Sequence, residues 1–117
     1  HRQALVKAAW DQEFLAEAPV VLIFCANPAR SAERYNERGI QLYCIQDATI
    51  ACAFAVLAAK AQGLDTVWVG AFNETEVSGI AHIPSNLRPV AMLPIGYAGK
   101  EPTVRPRREL SDLIHEV

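Results

Sequence analysis

The chain has 117 residues, enough for one domain over residues 1–117 with a sizeable hydrophobic core. Hydrophobic residues make up 51% of it and charged residues 21%, which excludes an intrinsically disordered protein. The net charge of -2 argues against a nucleic-acid partner, because nucleic-acid binding needs a strong positive field. The three cysteines form no C-x-x-C pair and lie in apolar runs, which is typical of buried thiols in a reducing, cytoplasmic compartment.

The sequence predicts no membrane segment. The longest uncharged apolar run, residues 48–59, would span about 18 Å as a helix, whereas the core of a bilayer needs roughly 30 Å. At the start of the chain, Arg2, Lys7 and Asp11 interrupt the apolar segment that a secretory signal would need. We therefore expect a soluble protein.

The first half of the chain predicts a helix, a buried strand and two further helical segments. Apolar residues recur at helical spacing over residues 3–17, and the charge-rich stretch 30–38 predicts a short surface helix or an ordered loop. The continuous apolar run 20–26 is typical of a strand that is buried on both faces. Residues 41–62 predict the longest helix, whose middle is apolar on all sides and therefore favours burial against a partner subunit.

The second half predicts two more strands around a short helix. Residues 66–69 predict a strand that closes on a Gly-Ala pair, and residues 90–97 predict another. Because proline cannot donate to a strand ladder, we expect Pro94 to lie at a sheet edge or at a bulge. The alternation of helices and strands, with few sequential hairpins, predicts an α/β or α+β sandwich.

Asn73 is expected to begin the short helix. An asparagine three residues before Glu76 is typical of a helix N-cap, and the helix should end near Ala81. The same asparagine opens an Asn-Glu-Thr glycosylation sequon. Without a secretory context, we favour the cap.

No pattern of acid–base, nucleophilic or metal-dependent catalysis is present in the sequence. The chain has no H-E-x-x-H, G-x-S-x-G, Walker or G-x-G-x-x-G motif. His1, His82 and His115 are far apart in the sequence, and Cys44 and Cys52 would lie about 12 Å apart along a helix. Neither set predicts a metal site, and we expect no catalytic side chain.

Two features remain as candidates for binding. The strand end Trp68-Val69-Gly70-Ala71 loses its side-chain bulk where the backbone emerges, so a flat ring could lie on it and accept hydrogen bonds from exposed N–H groups. Alternatively, the glycine only eases the following turn. In Arg105-Pro106-Arg107, side chains two residues apart share one side of an extended segment, so both guanidinium groups can converge on a phosphate. The alternative is a solvated basic tail over residues 100–108.

Together, these stretches resemble the FMN-dependent nitroreductase family. The resemblance is most specific in four blocks, whose order and spacing carry it because no block is diagnostic alone. The blocks are residues 18–21 (Ala-Pro-Val-Val), 46–48 (Gln-Asp-Ala), 63–72 (Gly-Leu-Asp-Thr-Val-Trp-Val-Gly-Ala-Phe) and 94–97 (Pro-Ile-Gly-Tyr) followed by the Arg-Pro-Arg segment.

The resemblance implies a three-layer α-β-α sandwich on a mixed, mainly antiparallel sheet, and a homodimer that binds FMN at its interface. The Trp68–Ala71 backbone would lie against the isoalloxazine ring with an N–H near N5, and Arg105 and Arg107 would hold the flavin phosphate. The implied activity passes hydride from NAD(P)H through the flavin to a nitroaromatic, a quinone or a similar acceptor. The long helix would lie in the dimer core.

The resemblance covers roughly the C-terminal two thirds of a nitroreductase. The family's N-terminal Arg-Arg-Ser-x-Arg type of motif, for the phosphate and the ribityl chain, has no counterpart here. The resemblance therefore leads us to expect an N-terminally shortened nitroreductase-like domain. A second hypothesis is a non-catalytic dimerisation or binding module that keeps the fold without flavin. A third is a family member with other chemistry, such as dehalogenation or flavin breakdown. The sequence does not decide between these activities, because substrate-gating residues lie in variable loops.

Overall fold

A computed structural model describes residues 1–115, which form a three-stranded sheet between one long helix and a layer of short helices. The elements are α1 (Arg2–Ala8), α2 (Phe14–Glu17), β1 (Val20–Ala26), α3 (Pro28–Arg38), α4 (Cys44–Ala61), β2 (Asp65–Thr66), α5 (Glu74–Ile80) and β3 (Arg88–Gly96). A π-helical turn (Gly39–Tyr43) precedes α4, and a 3-10 turn (Leu110–Asp112) lies in the tail. This order confirms the predicted α+β class.

The central strand of the sheet is β3, with β1 on one side and β2 on the other, and both pairings are antiparallel. β1 pairs with β3 along its whole length, with one irregularity between Phe24 and Cys25. β2 has only two residues, and its ladder resumes at a single bridge between Val69 and Met92. The strand predicted over residues 66–69 is therefore an interrupted edge strand.

Pro94 lies inside the central strand, so the prediction of an edge or bulge position is wrong. The β2 pairs and the Val69–Met92 bridge keep one register, which sets Val67 opposite Pro94. The regular pairing of β2 ends at Thr66, just before the position where proline has no N–H to give. The Thr66 hydroxyl donates to the Pro94 carbonyl at 2.7 Å. Proline is tolerated here because the pairing of the neighbouring edge strand is interrupted opposite it.

Two hydrophobic cores lie on opposite faces of β3, because successive residues of a strand point to opposite sides. Met92 packs with residues from α1, α2, α5 and the β2–α5 segment, among them Leu5, Val6, Leu15, Val69, Phe72 and Val77. Ala91 and Leu93 face the other way and pack with Cys52 of α4. The helices therefore cover both faces of the sheet, which confirms the predicted three layers.

The N-terminal helix predicted over residues 3–17 is wrong, because a turn divides it into α1 and α2. Trp10 and Asp11 form the turn with φ of 51° and 62°, in the left-handed region. The Asp11 N–H donates to the Val6 carbonyl at 2.9 Å and closes the end of α1. Leu5 and Leu15 nevertheless lie in one core, so the apolar spacing survives the break.

The long helix α4 confirms the predicted one, but only one of its sides is covered within a single chain. Cys44, Ala48 and Cys52 pack against β1 and β3. On another side, three large residues are 54%, 67% and 65% exposed, namely Ile50, Phe54 and Leu57. By length and composition alone, the helical stretch Pro28–Ala61 is long and apolar enough to cross a membrane, and 22% of its most apolar window is buried inside this chain.

The corner between α3 and α4 is closed by backbone contact. Asn36, with φ 48° and ψ -134°, interrupts α3 near its end, and the π-helical turn follows. Gly39 is buried, and a Cβ added there would lie 2.7 Å from the carbonyl carbon of Ser31. The rings of Tyr35 and Tyr43 meet edge to face across the corner, with their centroids 4.9 Å apart. The charge-rich segment is therefore a helix that leads into a tight joint.

Candidate functional site

Gly70 and Ala71, which we call the backbone patch, directly follow the last paired residue of the sheet edge. Val69 exchanges two hydrogen bonds with Met92, at 3.0 and 2.9 Å, and the side chain of Val69 is buried. Gly70 and Ala71 are both exposed, and within residues 1–115 their N–H groups donate to no protein acceptor. The patch therefore offers two hydrogen-bond donors to a group that lies on it.

Two long-range hydrogen bonds hold the far end of the backbone patch. The Asn73 N–H donates to the Ala8 carbonyl, at the end of α1, at 2.8 Å. The side-chain amide of Gln12 donates to the Ala71 carbonyl at 3.1 Å and to the Ala9 carbonyl at 2.9 Å. Gln12 lies within the helix that the sequence predicts over residues 3–17, and no role for it is predicted from the sequence. A single side-chain amide among apolar residues nevertheless indicates that the amide forms hydrogen bonds, because polar groups in a core are almost always hydrogen-bonded.

Asn73 caps α5, as predicted. Its side-chain oxygen accepts the N–H groups of Thr75 at 3.0 Å and Glu76 at 3.1 Å. Its side-chain amide also donates to the Glu76 carboxylate at 3.3 Å. α5 ends with Ala81 as its C-cap residue, where the sequence predicts the helix to end. The cap fixes the direction in which the chain leaves the backbone patch.

The close approach to Gly70 is made by Trp68 of the same chain. A Cβ added at Gly70 would lie 3.0 Å from the indole Nε1 of Trp68. The tryptophan is 41% exposed, so its ring covers part of the glycine and keeps another part in solvent. The contact with Trp68 therefore explains a glycine at position 70 without any ligand, in addition to the predicted approach of a flat ring.

A cleft of about 220 Å³ opens beside the backbone patch. Its lining consists of Ile45, Gly70, Phe72, Glu74, Arg88, Pro89 and Val90. Arg88 donates two hydrogen bonds to the Glu74 carboxylate, at 2.9 and 2.7 Å. The hydrogen bond from Arg88 lowers the pKa of Glu74, and the same bond raises the pKa of Arg88. Near neutral pH, the pair therefore brings one negative and one positive charge to the cleft, and the two groups are hydrogen-bonded to each other.

Arg105 and Arg107 lie in an exposed tail that follows β3. The guanidinium group of Arg107 donates to the carbonyls of Arg105 at 3.2 Å and Pro106 at 3.3 Å, which are its own neighbours. Among residues 1–115, no hydrogen bond or ion pair joins either arginine to the Trp68–Ala71 segment. The convergence of the two arginines on a phosphate stays a prediction.

The family of the chain follows from its comparison with known proteins. The model of the Nitroreductase family matches residues 1–97. The chain belongs to the nitroreductase family. It is 37% identical over 92 residues to a provisionally named nitroreductase of Methanocaldococcus jannaschii, covering 79% of this chain and 45% of the relative. It is 30% identical over 128 residues to an FMN reductase (NAD(P)H) of Bacillus subtilis, covering 98% and 51%.

The nitroreductase fold is shared over nearly the whole chain. Nitroreductase A of Vibrio parahaemolyticus superposes with a TM-score of 0.84 at 26% identity, over 98% of this chain and 52% of that chain. The chain therefore spans about half the length of the relatives it matches, rather than the two thirds that the sequence resemblance implied.

The donor set of this nitroreductase-family chain fits the edge of a flavin ring. The free N–H groups at Gly70 and Ala71 suit ring nitrogen and carbonyl acceptors, and the Trp68 indole beside them adds a flat apolar surface. Arg105 and Arg107 supply the cationic groups that suit a phosphate, and both lie in the exposed tail that follows β3.

The three cysteines of this nitroreductase-family chain are free thiols. Cys44 and Cys52 are buried and Cys25 is half-buried, and burial raises the pKa of the Cys25 and Cys52 thiols. The Cys44 thiol donates to the Ile40 carbonyl at 3.0 Å. Cys44 and Cys52 are the buried thiols that the sequence predicts, whereas Cys25 is only half-buried. In the part of the chain that the structure describes, no cluster of three or more His, Cys, Asp and Glu residues could hold a metal ion.

Proposed function

We propose that the chain acts as an FMN-dependent oxidoreductase of the nitroreductase type, which passes hydride from NAD(P)H to a nitroaromatic, a quinone or a similar acceptor. The observation that carries this proposal is the backbone patch, whose two exposed N–H groups, at Gly70 and Ala71, donate to no acceptor in the described part of the chain. Membership of the nitroreductase family and similarity to an FMN reductase support the choice of flavin.

Bound FMN would supply the hydride chemistry, and the protein would supply binding and orientation. The N–H groups of Gly70 and Ala71 would donate to the ring, and Trp68 would give it an apolar neighbour. Arg105 and Arg107 would neutralise the phosphate, for which guanidinium groups have the matching geometry. This division of labour requires no acid or base side chain in the cleft.

The active form we propose is a cytoplasmic homodimer that buries the exposed face of α4. Burying a large apolar side chain stabilises by about 1.5–3 kcal/mol, and Ile50, Phe54 and Leu57 offer three such groups. The radius of gyration of one copy is 16.4 Å. A compact chain of this length would have roughly 13 Å, so a single copy is more extended than a compact domain. The charges of Asp47 and Lys60 on α4 favour a second protein copy over a bilayer as the cover.

Titration of the purified chain with FMN tests the proposal. We expect saturable quenching of flavin fluorescence, a rise in the melting temperature, and bleaching of the bound flavin by NADH or NADPH under anaerobic conditions. A chain that stays colourless, with an unchanged melting temperature in excess FMN, contradicts the proposal. That result would favour the alternative, a dimerisation or binding module without flavin.

The role of the arginine pair is tested by comparing FMN with riboflavin, which lacks the phosphate. Replacing Arg105 and Arg107 with alanine should weaken FMN binding by about tenfold, in line with the loss of charge-assisted hydrogen bonds, and should leave riboflavin binding unchanged. Arg108→Ala is the matched control, because the Arg108 guanidinium already donates to the Asp112 carbonyl at 2.8 Å. Equal effects on both flavins would count against a phosphate role.

A further inference from the structure

The side chain of Gln12 ties the α1–α2 turn to the backbone patch. Its amide nitrogen donates to the Ala9 carbonyl at 2.9 Å and to the Ala71 carbonyl at 3.1 Å. A side-chain amide has two N–H hydrogens, so both donors of Gln12 are in use. The second bond crosses 59 positions of sequence and reaches the patch itself.

The turn that presents Gln12 is a strained one. Trp10 and Asp11 are consecutive non-glycine residues in the left-handed region, a conformation that costs free energy for each residue. Such strain persists only where the surroundings fix it, and here the Asp11 N–H bonds to the Val6 carbonyl at 2.9 Å. A continuous helix would keep the Gln12 side chain over the preceding turn of that helix, whereas the strained turn lets it bond across to Ala71.

The backbone patch lies between two residues that are fixed by hydrogen bonds to other parts of the chain. Val69 is fixed by its bridge to Met92, and Asn73 by its bond to the Ala8 carbonyl. Between them lies Gly70, which can adopt a wide range of backbone dihedral angles. Phe72 is also held, because its side chain is buried in the core. The Gly70–Ala71 peptide is therefore the part of the segment whose N–H group could reorient if nothing held the Ala71 carbonyl.

We propose that Gln12 is a positioning residue for the proposed flavin contact. By holding the Ala71 carbonyl, it fixes the Ala71–Phe72 peptide plane. The Val69–Gly70 plane is already fixed, because the Val69 carbonyl accepts from Met92. The Gly70–Ala71 peptide between these two planes is thereby restrained, so Gln12 aims the Ala71 N–H. The purpose of this arrangement rests on the proposed function, since the patch matters only when a flavin lies on it. The ordering of the patch by Gln12 is measurable without any cofactor.

The test replaces Gln12 by glutamate, which keeps the shape and removes both donors. In the cofactor-free chain, we expect the backbone order parameters of Ala71 and Phe72 to fall from about 0.85 to below about 0.6, while those of β3 and of Gly70, which the Val69–Met92 bridge holds, stay unchanged. Gln3→Glu, the same chemical change at an exposed position of α1, is the matched control and should leave all of them unchanged. If the glutamate variant fails to fold, Gln12→Ala gives the same measurement.

Flavin binding provides the second readout. We expect Gln12→Glu to weaken FMN binding about fivefold to tenfold relative to Gln3→Glu, because the Ala71 N–H is no longer aimed. Unchanged order parameters at Ala71 and Phe72, or a loss of order spread evenly over the chain, overturn the inference whether or not FMN binds. A local loss of order in a chain that does not bind FMN sustains the positioning role and overturns the proposed function.

Discussion

Truncation of Leu57 tests the exposed face of α4 quantitatively. The residue is 65% exposed in one chain, so about two thirds of its apolar surface is available to a second copy. Leu57→Ala removes three carbons, each worth about 0.8 kcal/mol when buried, which gives about 1.6 kcal/mol for the part that a dimer would newly cover. A symmetric dimer buries the residue twice, so the dimer should lose about 3 kcal/mol. This corresponds to about a 150-fold higher dissociation constant.

Sedimentation or light scattering over a dilution series measures the dissociation constant directly. Leu113→Ala is the matched control, because Leu113 is similarly exposed, at 57%, but belongs to the tail and not to α4. Monomer stability in urea should change little in either variant, since both side chains are largely exposed in one chain. Equal dissociation constants for Leu57→Ala and the unchanged protein, or equal shifts in the two variants, would refute the reasoning.

Two further predictions concern stability. Asn73→Ala should lower the free energy of unfolding by about 1 kcal/mol, because two N–H groups at the start of α5 lose their acceptor; Asn86→Ala, at an exposed turn, is the control in urea titrations, and equal losses would contradict the cap. Arg88 holds the pKa of Glu74 below its ordinary value of 4.5, so the pair should stabilise the fold above that pH and stop doing so as the pH falls through the lowered pKa. Because both side chains are about half exposed, the effect should stay below about 1 kcal/mol, and Glu74→Gln should flatten this part of the acid profile of urea stability. An acid profile identical to that of the unchanged protein would contradict this account.

The features that were predictable from sequence depend on local patterns. The apolar run of β1, the long apolar stretch of α4 and the Asn73 cap each lie within one element, and each was predicted near its observed bounds. The break between α1 and α2 was not, because Leu5 and Leu15 reach one core across the turn and keep the spacing of a helix. Apolar periodicity reports which residues share a core, and it does not report whether the backbone between them is continuous.

The features that escaped prediction depend on contacts between distant residues. Gly70 and Ala71 were recognisable as exposed backbone, because a Gly-Ala pair follows an apolar strand. The anchoring of that backbone by Gln12 depends on a partner 59 positions away, which no local pattern encodes. Pro94 was misplaced for the same reason: a central strand tolerates proline only when its neighbour lapses at that position, and the neighbour, β2, belongs to another part of the chain.

The contact of Gly39 with the Ser31 backbone makes the α3–α4 corner a rigid elbow. No side chain fits between the backbones of Gly39 and Ser31. Any residue larger than glycine at position 39 would therefore have to push α3 away from the turn that leads into α4. The wall formed by Arg30, Ser31 and Arg34, which lines a separate open cleft with Asp47, would move with it. The shape of that second cleft therefore depends on glycine at position 39, and even the methyl group of an alanine there would change it.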